Sequence, residues 1–336
     1  MKARPKVVVT HRVHQPVKDL LGKECDVVAN EEIEAWSRTK LLEVARDADG
    51  LLVFMPDLID EALLAACPDL KVIAAALKGY DNIDVAACTR RGIWVTIVPD
   101  LLSSPTAELA LTLTLGLTRN VLPGDRRVRS GEFHGWRPVL YGGGLVGRTV
   151  GVVGMGRLGQ AFVRLLAGFN AKILYCDPVQ LSPVQEAFLG VARATFDQLL
   201  EQSDVVVVLA PLTNSTLHMI NAAALSKLKA GAYLVNVGRG SVVDEQAVAQ
   251  ALQAGRLAGY AADVFEMEDW ARQDHPATVE PALIGDAQRT LFTPHLGSGV
   301  KAVRLEIELA AASSILTVLR GERPPDAINE PPSRSF

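Results

Sequence analysis

The stretch TVGVVGMGRLGQ, residues 149–160, constrains the fold more than any other part of the chain. A β-branched run that ends on Gly154, Gly156 and Gly159 reads as a strand, a tight turn and the start of a helix. The first glycine permits the turn, the second lets the backbone approach a pyrophosphate, and the third allows the helix to pack closely on the strand. The helix start then offers N–H groups and a positive dipole end to phosphates. Such a motif is weak alone, and its context decides. The next strand-like run, AKILYCD, ends in Asp177, at the spacing where an acid accepts hydrogen bonds from ribose hydroxyls. That carboxylate would repel a 2′-phosphate, so NAD is favoured over NADP, and Arg157, lying within the turn, weighs only mildly the other way.

The same alternation runs from the start of the chain. KVVVT, CDVVAN, LLVFM, LKVIAAA and IWVTIV are short and β-branched, with helix-patterned segments such as IDEALLAAC between them. This predicts a parallel sheet wound on both faces, ending near Pro99. A second series, TVGVVG, AKILYCD, DVVVVLAP, AYLVNVG, AGYAADVF and LFTPH, predicts a second parallel sheet of about six strands. Between the two, PTAELALTLTLGLTRN predicts a long buried helix. RSGEFHGWRPVLYGGGLVG, residues 129–147, is rich in glycine and aromatics without a period and reads as an arm. After His295, SGVKAVRLEIELAAASSILTVLRG has the period and length of one helix, long enough to return to the first domain. The proline-rich tail ERPPDAINEPPSRSF reads as an extended surface segment.

Composition narrows the function classes. The 336 residues have room for two domains, at roughly 150 residues each. A net charge of −4 leaves no footprint for nucleic acid or an anionic membrane, so any anion site must be local. The N-terminal MKARPKVVVTHRVH lacks the apolar core of an export signal. The most apolar helical run, LALTLTLGLT, falls well short of the ~20 residues that a bilayer requires. Cys25, Cys67, Cys88 and Cys176 show neither CxxC nor zinc spacing. A cytoplasmic protein with reduced core thiols and no metal is the expectation.

Three further runs deliver polar groups just past strands, where an open α/β sheet places its ligands. LVNVGRGSVVDE carries Arg239, AADVFEMEDW carries Glu268, and LFTPHLGSG carries His295. Each alone has an ordinary structural use, as a surface turn, a helix cap or a packed histidine. Together, beyond a dinucleotide turn, they supply an anion clamp, a carboxylate and an imidazole, the parts needed to orient an anion and move a proton beside a nicotinamide.

The order and context of these groups resemble the D-2-hydroxyacid dehydrogenase family along almost the whole chain. The resemblance implies a Rossmann cofactor domain inserted into a flavodoxin-like substrate domain. It places the substrate domain at residues 1–99, the NAD domain at 100–296 with a dimerisation arm near 120–148, and a returning helix and tail at 297–336. It implies a homodimer, and Trp136 and Tyr141 in the arm are candidates to reach the partner subunit. Besides the glycine turn and Asp177, it implies cofactor contacts at Thr106, Arg157, Leu158, Pro178, Pro211, Leu212, Val237, Gly238, Asp263 and Gly297.

The stretch AALKGYDNID departs from the family pattern, because Lys78 stands where a small apolar residue is usual, beside Gly79. Lys78 together with FMPD, VPDLL, RSGEFHGW and DVFEMEDWAR resembles the phosphite (phosphonate) dehydrogenase branch. That resemblance implies oxidation of phosphite with NAD⁺. Arg239 and Lys78 would hold a dianion whose desolvation calls for an extra fixed cation, and Arg304 would add positive potential. Met55 would line the site. His295 would take the proton of the attacking water, and Glu268 would orient its ring. The alternatives are a reductase of glyoxylate, hydroxypyruvate or a related 2-keto acid, and an NAD(H)-sensing corepressor-like protein.

Overall fold

The computed structural model describes residues 4–332. They form two compact units: residues up to 102, 270–273 and from 299 onward make one, and residues 103–269 with 274–298 make the other.

In the first unit five strands run parallel: β1 (Lys6–Val9), β2 (Asp26–Ala29), β3 (Gly50–Val53), β4 (Val72–Ala75) and β5 (Trp94–Thr96). Their order is β2-β1-β3-β4-β5. β3 and β4 are buried on both faces, which is why they read as unbroken apolar runs. The helix Lys301–Leu319 covers one face, burying Ile307, Ala311, Ala312 and Ile315 among Val7, Val9, Leu52 and Val72. A Cβ on Gly50 would lie 3.0 Å from Ile315 Cγ2, so this glycine lets helix and sheet approach.

The tail departs from the surface segment that its prolines predict. Ile328 N donates to Val95 O (2.9 Å) and Ile97 N to Asp326 O (3.2 Å), pairing the tail with β5. The Asn329 side chain accepts from Val95 N (2.8 Å) and donates to Ile93 O (2.9 Å). Prolines removed donors from the flanks of this stretch but left Ile328 free to pair.

The second unit holds β6 (Thr149–Val153), β7 (Lys172–Cys176), β8 (Val191–Arg193), β9 (Val205–Val208), β10 (Ala232–Asn236), β11 (Leu257–Ala262) and β12 (Thr290–Phe292). All are parallel, in the order β12-β11-β10-β9-β6-β7-β8. β8 is the strand that sequence patterning misses: it has three residues, only Val191 buried, and so is too short for a period to show. Strand order reverses between β6 and β9, and the crevice at their carboxyl ends is where such sheets take ligands. Residues 130–148 form no helix or strand, and Phe133, Trp136, Tyr141 and Val146 are largely exposed there.

All four cysteines are free thiols; burial pushes Cys88 up to about 12 and Cys25 to about 11. Among the described residues no helix is long and apolar enough to cross a membrane, and no His, Cys, Asp and Glu cluster is arranged to hold a metal.

Candidate active site

The glycine turn is built by close backbone approach. Gly154 has a φ of +97°, and a Cβ there would meet Ala210 N at 2.9 Å. A Cβ on Gly159 would fall 2.3 Å from Gly154 O, and one on Gly238 2.5 Å from Ala210 O. The ends of β6, β9 and β10 therefore meet main chain to main chain, with the buried Val237 beneath Gly238 in sequence. Gly156 faces open space at the start of the helix Arg157–Leu165. This surface, without side chains and rich in N–H groups, fits the pyrophosphate of a dinucleotide. Arg157 is exposed and Leu158 half-buried at the helix start, and Pro211 and Leu212 follow β9.

Asp177 fastens this turn to the end of β7. Its Oδ2 accepts from Met155 N (2.7 Å) and its Oδ1 from Val179 N (2.8 Å). Each oxygen keeps further acceptor capacity for a ribose hydroxyl. Beside the exposed Pro178, Arg193 of β8 donates to the main-chain oxygens of Asp177 (3.0 Å) and Pro178 (3.4 Å).

The candidate reacting groups Arg239, Glu268 and His295 all lie in this same unit. His295 Nδ1 lies 2.6 Å from Glu268 Oε2, and Phe265 N donates to Glu268 Oε1 (2.8 Å). The carboxylate is thus held at one oxygen and fixes the imidazole through Nδ1 at the other. His295 itself adopts a φ of +54°, a left-handed conformation that costs a non-glycine residue energy and needs support. Asp263 supplies that support. Its carboxylate, 1% exposed, accepts from Thr293 Oγ1 (2.6 Å), Leu296 N (2.6 Å) and Gly297 N (2.8 Å), while His295 N donates to Asp263 O (2.8 Å). Burial pushes the Asp263 carboxyl up, and these donors pull it back. Thr106 packs against Gly297, where a Cβ would lie 3.1 Å from Thr106 Oγ1. Arg239 starts the 3-10 turn Gly240–Val242; Asn236 Nδ2 donates to its carbonyl (2.9 Å), and Asn236 Oδ1 accepts from Gly238 N (3.1 Å).

Lys78, Gly79, Met55 and Arg304 belong to the first unit. Lys78 and Gly79 are half-buried just past β4, and Met55 just past β3. Asn82 of the DNID run ties this region together, donating to the main-chain oxygens of Phe54, Met55 and Asp57. Arg304 lies 5.5 Å over the Phe54 ring and 3.8 Å from Glu308, and Nη1 donates to Ala76 O at 3.4 Å.

A profile described as D-isomer specific 2-hydroxyacid dehydrogenase, NAD binding domain, matches residues 111–297. Glyoxylate reductase from Thermofilum pendens is 39% identical over 98% of this chain and 95% of its own length. The chain belongs to the D-isomer specific 2-hydroxyacid dehydrogenase family. Glyoxylate reductase from Pyrococcus furiosus is 37% identical over 97% of this chain and 96% of its own. Among solved structures, the NADPH-dependent glyoxylate/hydroxypyruvate reductase from Sinorhizobium meliloti, in complex with NADP and malonate, superposes with a TM-score of 0.83 at 30% identity, covering 99% of both chains.

These dehydrogenases bear out the fold class and the NAD-binding domain, and they correct the substrate. Oxidation of phosphite is the expectation that Lys78 carried; relatives matching along nearly the whole chain are glyoxylate reductases instead. One lysine does not select a dianion, because an ammonium serves a carboxylate as well. The sequence reading also missed Asn236, Glu245, Glu266, His218, Asp269 and Arg193. A signal for some was present: Glu266, Glu268 and Asp269 crowd three acids into one short turn, more than a single reacting carboxylate needs.

Proposed function

We propose that this enzyme of the D-2-hydroxyacid dehydrogenase family reduces small 2-keto acids of the glyoxylate and hydroxypyruvate kind with NADH. The single observation that carries the reading is the 2.6 Å His295–Glu268 pair, which follows β11 and β12 of the parallel sheet whose β6 and β10 lead into the glycine turn and Arg239. When bound, the nicotinamide cofactor supplies the hydride for the carbonyl carbon. His295 donates the Nε2 proton to the keto oxygen. Glu268 keeps the other ring proton on Nδ1 and stabilises the charged ring beforehand. Arg239 holds the substrate carboxylate through its planar pair of N–H donors. The product is the 2-hydroxy acid, and the proton leaves His295 for solvent exchange to replace.

Substrate-binding roles are proposed for Lys78, Gly79, Met55 and Arg304 as well. Asp177 supports NADH over NADPH. The exposed Phe133, Trp136, Tyr141 and Val146 of the arm support a homodimer, since such a run of apolar surface favours a covered state. Four free thiols suit the cytoplasm.

The test measures NADH consumption with glyoxylate, hydroxypyruvate and pyruvate, NADPH consumption with the same acids, and NADH formation from NAD⁺ with phosphite. Turnover of a 2-keto acid with NADH is expected. No keto-acid turnover, or a higher kcat/KM with phosphite, overturns the reading.

A further inference from the structure

The turn that carries Arg239 and the turn that carries Glu268 touch main chain to main chain. A Cβ on Gly240 would fall 1.9 Å from Phe265 C and 2.3 Å from Glu266 N, so only glycine fits. Buried carboxylates brace this contact. Glu245 N donates to Glu266 Oε1 (3.0 Å) and Glu266 N donates to Glu245 Oε1 (2.8 Å), a reciprocal exchange between the two segments. Glu245 Oε2 also accepts from Glu280 N (3.0 Å), and Asp269 Oδ2 from Ser241 N (2.7 Å). His218 closes the arrangement: Nε2 lies 2.7 Å from Glu266 Oε2, and its main-chain N–H donates to Ser241 O (2.8 Å).

Glu245, Glu266 and Asp269 are 2%, 8% and 3% exposed. Taking such groups out of water is costly, and apolar residues of the same volume commonly stabilise as well or better. Burial does push the Glu245 carboxyl up. Stability alone is therefore a poor reason for these residues. What they do provide is direction: three of these bonds run from a main-chain N–H of one segment to a carboxylate of the other.

We propose that Glu266 is a positioning residue of the active site, which through its exchange with Glu245 and its bond from His218 holds the Arg239 turn and the Glu268 turn in one register. It touches neither substrate nor cofactor. Its effect passes through Arg239, the carboxylate clamp, and through Glu268, which fixes His295. Displacements of a fraction of an ångström in such groups cost rate well before they unfold the chain.

The kinetic arm of the test rests on the 2-keto acid reading; the spectroscopic arm does not. Glu266→Ala, Glu266→Gln and His218→Ala are made in the full chain. Each is followed by kcat and KM for glyoxylate, by the Kd for NADH, and by the low-field proton resonance of the His295 Nδ1–H bonded to Glu268, assigned with His295→Asn. Glu266→Ala should lower kcat about 10-fold or more and raise KM. It should broaden or remove the low-field resonance and leave the NADH Kd within about twofold of the parent. Glu266→Gln keeps an acceptor for Glu245 N and should restore most of both signals. His218→Ala, at the more exposed end, should act in the same direction with a smaller loss, and it decides the matter if Glu266→Ala does not fold. Parental kcat and an intact resonance in Glu266→Ala, or in His218→Ala where that variant stands in, overturn the proposal. So does a Gln variant as impaired as the Ala variant. If no keto acid is turned over by the parent, the substrate reading fails while the resonance still decides the role of Glu266.

Discussion

The glycine turn and the Arg239–Glu268–His295 block occupy the same sheet ends and are built on opposite principles. At the turn, side chains are removed: Gly154, Gly159 and Gly238 let strands and helix meet through their backbones, and the Asp177 carboxylate fastens the result. In the block, side chains are added in depth: Asp263 holds the His295 loop, Glu268 holds the ring, and Glu245, Glu266 and Asp269 hold the turns beneath. The difference follows from what each must bind. A pyrophosphate needs many N–H groups and room, which main chain supplies. A proton transfer needs one ring at one angle, which only a chain of fixed partners supplies.

The contrast can be broken at its most reactive point first. His295→Asn keeps a polar side chain but carries no transferable proton, so kcat for keto-acid reduction should fall by about 10²- to 10⁴-fold, while NADH affinity, measured by fluorescence titration, stays near the parent value. Near-parental kcat would move the proton donor elsewhere.

A pair of glycine substitutions sharpens it next. Gly159→Ala drives a Cβ into Gly154 O and should weaken NADH binding by about 10-fold or more, as overpacking of about 1–3 kcal/mol implies, with the His295 Nδ1–H resonance unchanged. Gly240→Ala drives a Cβ into Phe265 and should do the reverse, disturbing that resonance and kcat while NADH binding persists. Equal damage to both readouts in both variants would show that the two regions are one cooperative unit.

Asp177→Ala acts only on the turn. Removing a carboxylate close to a 2′-phosphate lifts a repulsion of about 1–4 kcal/mol, and Arg193 already sits beside Asp177 to meet the phosphate. The ratio of kcat/KM with NADPH to that with NADH should rise about 10-fold or more. An unchanged ratio would place the ribose away from Asp177.

The smallest effect is one of pH. Burial raises the Glu245 carboxyl, whereas in the unfolded chain it titrates near about 4.3. As pH rises from there, the unfolded chain loses this proton first, so stability falls until the folded-state pKa is passed. Glu245→Gln has no such dependence. The Tm of the parent minus that of Glu245→Gln should therefore be most favourable to the parent near about pH 4 and decline toward neutral pH. A constant difference would mean that the buried carboxyl titrates as it does in the unfolded chain.

Much of the fold was legible because its information is local. Period and β-branching place five strands and then six of seven, and a glycine spacing marks where β6 gives way to a helix. β8 and the docking of Ile328 and Asn329 on β5 were not, since a three-residue edge strand has no period and a tail's pairing depends on an edge far away in sequence. At the candidate site, Arg239, Glu268 and His295 could be named from their places after strands, because an open parallel sheet sends every strand end to the same side. Lys78 shows the limit of that reasoning. Its charge was plain in the sequence, and the substrate inferred from it was corrected by whole-chain relatives.

What the sequence by itself determined is which segments become strands and helices, that a dinucleotide turn follows β6, and which charged groups stand at strand ends; each depends on neighbours a few positions apart. Only the tertiary structure decided which partner each acid meets. Glu266 and Glu268 are two residues apart in one run, and one meets Glu245 and His218 while the other meets His295. Those partners lie 21 to 48 residues away, and hydrogen bonds act over about 3 Å, so their choice waits until the sheet has brought the turns together.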